Sequence, residues 1–70
     1  MQLIEQTLQS ANVNISLEEL LILNSALNEV CYGLDEFDFE TRMGASHEKV
    51  AELLKKIGTI IDDLESHANS

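Results

Sequence analysis

The 70-residue chain has no proline and no tryptophan, one cysteine, three glycines and only four basic residues. With a lone Cys31 no intrachain disulfide can form, so a secreted disulfide scaffold is excluded. The sequence offers no glycine-rich phosphate loop, no C-x-x-C and no H-x-x-x-H, and with them go the common routes to nucleotide and zinc binding. No apolar run approaches the roughly 20 residues a membrane-spanning helix needs. The start, MQLIEQTLQS, has no basic segment and reaches Glu5 before any long apolar stretch, so it does not read as a signal peptide. These absences describe a cytoplasmic chain with no membrane partner. At this length it forms a single domain, residues 1–70.

What the chain has in excess is acid: 13 Asp and Glu against four Lys and Arg, for a formal charge of −9. The charge is also one-sided. Residues 1–41 hold eight of the acids and no Lys or Arg, while Arg42, Lys49, Lys55 and Lys56 share the remainder with five acids. Such a field repels nucleic acid and anionic membrane and steers a basic partner inward.

The apolar pattern is mostly helical. Ile4, Leu8 and Ala11 fall at i, i+4 and i+7 and predict a first helix over residues 2–11. Ser16 with Glu19 three positions on forms a capping box, Ile15 can staple onto Leu20, and a second helix runs to Tyr32, with Gly33 as its left-handed C-terminal residue. Leu20, Leu23, Leu27, Val30, Cys31 and Leu34 line one side of it. Ile22 is the misfit, set among Glu18, Ser25 and Glu29 on the polar side.

The segment LDEFDFETRMG alternates like a strand, but a lone strand has no partner. A short helix from Asp35 to Gly44, pairing Phe39 with Met43 at i, i+4, is the preferred reading. Ser46 caps a last helix striped by Val50, Leu53, Leu54, Ile57, Ile60, Ile61 and Leu64, with Ala51 and Gly58 as a small-residue groove beside it. A frayed tail follows at about residues 66–70. The expected fold is an all-α bundle of three main helices and one short connecting helix.

Chemistry is sparse. Cys31 lies on an apolar stripe, where a thiol is ordinarily a small inert hydrophobe; Asp62 and Asp63 are about 100° apart on a helix and lack the loop geometry calcium prefers. No catalytic, cofactor or metal site is expected, and the chain does not read as an enzyme. Two segments stand out instead. Glu36, Asp38 and Glu40 surround Phe37 and Phe39, and together with Glu18, Glu29 and Ile22 they describe an apolar anchor ringed by charge, the composition of a protein-binding surface. At least one of the two phenylalanines must be core in so small a domain. The string FETRMGASHEKVAELLKKI also has the layout of a helix-turn-helix, with Ser46, His47 and Lys49 towards a groove, but four bases are a poor footing for phosphate contacts.

Asn24, Asn28, Glu29, Val30 and Gly33, followed by Phe39, Thr41, Arg42 and Gly44 in an F-x-T-R-x-G turn, resemble a group of small acidic bacterial proteins over about residues 17–54. The resemblance implies a bacterial or phage origin and an all-α fold, and carries no activity. The leading functional expectation is a non-enzymatic acidic module that occludes a basic, nucleic-acid-binding partner protein, as an immunity protein, antitoxin or phage inhibitor does. Its contacts would be Ile22, Glu18, Glu29, Glu36, Phe37, Asp38 and Glu40. The alternatives are a homodimeric scaffold or regulator joined through the last helix, and behind it a helix-turn-helix regulator binding DNA.

Overall fold

The computed structural model describes residues 1–68, without the side chains of Glu36 and Ala68. The chain order is β1 (Gln2–Gln6), β2 (Ala11–Asn14), α1 (Leu17–Gly33), α2 (Glu36–Met43) and α3 (His47–Ala68). The fold is therefore α+β, three helices with a two-stranded antiparallel sheet, and not the expected all-α bundle.

The correction falls on the first segment, where a helix was expected over residues 2–11 and a hairpin stands. Ala11, Val13 and Ile15 alternate with Asn12 and Asn14, a period of two that only a strand satisfies. Leu3 pairs with Val13 and Gln6 with Ala11, while Gln2 meets Asn14 and Glu5 meets Asn12. One face is thus largely apolar and the other polar, with Ile4 as the extra residue of a bulge between Leu3 and Glu5. Thr7 makes the turn: its N–H donates to the Ser10 carbonyl at 2.8 Å, and its Oγ1 accepts the N–H groups of Gln9 and Ser10. A threonine hydroxyl does here what Asn-Gly does in a shorter hairpin.

Helix α1 begins at the expected capping box. The Glu19 N–H donates to Ser16 Oγ and the Ser16 N–H to Glu19 Oε1, each at 3.1 Å. Its end differs from expectation. Gly33 is helical, no left-handed residue follows, and extended Leu34 closes the helix with its N–H on the Val30 carbonyl. Helix α2 starts after Asp35 and is closed by left-handed Gly44 (φ 71°), whose N–H reaches the Glu40 carbonyl at 2.8 Å. Helix α3 follows Ser46, whose Oγ accepts the Lys49 N–H. It continues through residues 66–68 where a frayed tail was expected; residues 69 and 70 lie outside the described residues.

The core is a seam between α1 and α3. Leu20 packs with Ile57 and Ile61, and Cys31 with Val50 and Phe39; Leu27 touches both clusters. The start of α1 meets the second half of α3 and its end meets the first turn of α3, so the two helices run antiparallel. Helix α2 joins through Phe39, 2% exposed, with Met43 beside it. The hairpin packs on neither long helix along its strands. It is held by Ile15, which joins the first cluster, and by the Met1 ammonium on the Glu19 carboxylate.

Two predictions follow from these local contacts. A Cβ built on Gly58 would meet nothing within 4 Å, so no close helix approach offsets its backbone entropy. Gly58→Ala should therefore raise stability by about 0.5–1 kcal/mol in urea unfolding. Contact with the N-terminal ammonium, then the hydrogen bond from the Ser16 N–H, lowers the pKa of Glu19 from its ordinary 4.5. A carboxylate depressed on folding contributes stability above its unfolded value and loses it as pH falls through the folded one. The stability difference between wild type and Glu19→Gln should accordingly be largest near neutral pH and shrink below 4.5, followed by thermal melts across pH.

Candidate protein-binding face

The helix spacing separates the two phenylalanines. Phe39 turns inward against Cys31 and Val50, and its ring sits 4.9 Å from that of His47 at 53°. Phe37, two residues earlier, is about 200° away around the axis and stands 94% exposed. Asp38 and Glu40 flank it, both exposed, so α2 shows an aromatic ring between carboxylates on its outer face. The side chain of Glu36 lies outside the described residues.

The other expected contacts lie on α1. Ile22 is 62% exposed, and on a 3.6-residue repeat Glu18 and Glu29 share its face, about 160–200° from the Leu20–Cys31 line. That face is the outer edge of α1, turned away from α3. The expected site thus comprises two patches on separate helices, one around Phe37 and one around Ile22. The two helices meet in the cluster of Cys31, Phe39 and Val50, which Leu27, Val30 and Met43 join.

Sequence reading missed Tyr32. It is 80% exposed in the last turn of α1, and only Leu34 and Asp35 separate that helix from α2. It is an exposed ring at the end of α1, as Phe37 is on α2. The signal was available in the spacing, since Tyr32 lies about 120° round from Leu20 on the wheel, beyond the buried stripe.

His47 has a structural task at the end of α1. Its Nε2–H donates to the Cys31 carbonyl at 2.9 Å, satisfying one of the last carbonyls of α1, which have no partner inside the helix. The histidine thus approaches Cys31 through the backbone, and the thiol itself is buried. Arg42 makes no ion pair with Glu29; among the described residues the ion pair found joins Met1 and Glu19. Among the described residues, too, no three His, Cys, Asp or Glu side chains gather as metal ligands would. None of the described helices is long and apolar enough to cross a membrane.

No family model, no curated protein and no solved structure matches this chain.

The two phenylalanines give opposite expectations. Phe39→Ala removes a buried ring and should cost about 3–5 kcal/mol, comparable with the whole stability of so small a domain. Phe37→Ser should shift the unfolding midpoint by no more than about 0.5 kcal/mol equivalent. Paired urea titrations followed by circular dichroism check both.

Proposed function

We propose that this chain is a non-enzymatic binding protein of the cytoplasm that occludes a basic protein partner with the acidic, aromatic face of α2. The observation that carries the reading is Phe37: a large ring 94% exposed between Asp38 and Glu40. Full burial of such a ring is worth about 1.5–3 kcal/mol, which the folded chain leaves unused. Interfaces place aromatic anchors centrally and charge at the rim, and opposite charge accelerates encounter.

Tyr32 offers a second exposed ring, and Glu18 and Glu29 add acidic charge along α1. The partner this chemistry fits is a protein whose Lys- and Arg-rich surface otherwise contacts nucleic acid. The mechanism is steric and electrostatic masking, which needs no reacting group. The abundance of carboxylates suits that role, since a phosphate backbone and this surface compete for the same basic groups.

The test is capture by immobilised protein from a lysate of the encoding organism, with the wild type beside Phe37→Ala and Asp38→Lys/Glu40→Lys. A basic protein retained by the wild type, released as salt rises and lost with both variants is the expected result. With the purified partner, charge reversal should slow association about tenfold or more while the helical spectrum is unchanged. Equal on-rates for wild type and charge reversal would remove the acidic face from the mechanism.

A further inference from the structure

A two-stranded sheet by itself is at best marginal in water and needs a third strand, or a helix packed on its face. Among the described residues the hairpin of β1 and β2 has neither. Every residue of both strands is exposed, and the strands pack on each other and on no helix. Ile15 and Met1, at the two ends, tie the hairpin to the body. The outward N–H and C=O groups of each strand are therefore open along its length, and such an edge is a template for a further strand.

The two edges are not equally guarded. Edges that stay single are blunted by charge, by proline or by a bulge. Strand β1 has two of these devices, Glu5 and the bulge between Leu3 and Glu5. Strand β2 has none. It lies within residues 6–17, the longest run of the chain without Asp, Glu, Lys, Arg or His. Its Val13, followed by Ile15, is of the β-branched kind that strands favour. The charge of −9 resides elsewhere: residues 1–16 hold Glu5 alone, and residues 17–70 hold 12 acids against four bases.

We propose that β2 pairs antiparallel with β2 of a second copy about a two-fold axis at Val13, joining two hairpins into one four-stranded sheet. Side chains alternate along a strand, so the two faces stay matched only in a register that opposes residues of like face. The register about Val13 does this. It sets Val13 opposite Val13 of the second copy, Asn12 opposite its Asn14, and Ala11 opposite its Ile15. The apolar face begun by Leu3 and Val13 then continues through the same pair in the other copy, and asparagine amides meet on the polar face. No charge meets its like along this contact, which an identical partner requires. A charged peptide, by contrast, finds no opposite charge on β2. The guarded β1 strands become the outer edges, so the assembly closes at two copies. Four residues a side make a small interface, and the dimer is accordingly weak and concentration-dependent. The β2 edge is separate from the outer surface of α2, so this inference and the proposed function can fail independently.

The test is light scattering on the intact chain over about a hundredfold range of concentration, with two double variants beside it. Asn12→Lys/Asn14→Lys sets lysine opposite lysine across the two-fold, where like charges repel. Within its own hairpin the lysine at position 12 faces Glu5, and the variant lowers the net charge, so general repulsion between chains falls. Asn12→Lys/Asn14→Glu sets opposite charges across the same axis. The expected result is a wild-type mass rising towards twice 7.8 kDa, loss of that rise in the first variant and its return in the second. Amide exchange across residues 11–14 of the wild type should slow as concentration rises, and this decides the matter if the first variant loses its hairpin. A wild type that stays monomeric, with exchange independent of concentration, overturns the proposal. A dimer that survives Asn12→Lys/Asn14→Lys overturns the choice of edge.

Discussion

Everything in this molecule hangs from one helix–helix seam. Leu20, Ile57 and Ile61 close it at one end, and Cys31, Phe39 and Val50 close it at the other. Each buried side chain of that size contributes about 1.5–3 kcal/mol, against roughly 1–2 kcal/mol of backbone entropy for every residue ordered. Six such side chains cannot organise 70 residues with much to spare. The two appendages reflect this. The hairpin reaches the body through Ile15 and the Met1–Glu19 pair, and α2 reaches it through Phe39 and Met43. Each is fixed by a contact at one end of the seam, and each leaves most of its remaining surface in water.

The parts legible in the sequence are those determined by neighbours three or four residues away. Ser16 and Glu19 satisfy each other's backbone wherever the chain puts them, and Gly44 accepts a left-handed conformation that other residues resist, so both helix boundaries follow from composition alone. The hairpin is a different problem. Ile4, Leu8 and Ala11 make an acceptable helical stripe, while the strand signal in residues 11–15 is only five residues long and its partner lies across a turn without glycine. The deciding contact, Leu3 against Val13, is non-local and has no signature in either segment by itself. Gly33 misled for a related reason: Leu34 could end α1 in an extended conformation, pulled inward by the cluster around Phe39, so the glycine's freedom was never used.

The candidate site was legible in kind and less so in arrangement. That at least one phenylalanine of the pair had to be buried followed from size, but which one stayed open until the packing of α2 put Phe39, one helical turn from Met43, in the core. Once Phe39 turns inward, Phe37 must face outward with Asp38 and Glu40 to either side. Ile22 was legible as a misfit on the polar side of α1, and it is exposed. What the sequence could not supply was the relation between the two helices, which depends on how α2 packs, and Tyr32 at the end of α1 went unnoticed.

The two proposed surfaces bear on each other through valence and charge. If two copies join along β2, the outer faces of α2 lie on the surface of one assembly, each with its own Phe37. Two binding faces held together raise the effective concentration of the second once the first has bound, and avidity can exceed either affinity by about 10²–10⁴ where the partner presents two matching sites. Pairing also doubles the negative field that a basic partner meets, and fields from both copies add within the screening length of about 8 Å at physiological salt. Eight of the 13 acids precede Arg42, while α3 carries three of the four bases beside five acids of its own. The negative field that a basic partner meets is therefore least compensated on α1 and α2, the two helices that also carry the exposed rings of Tyr32 and Phe37.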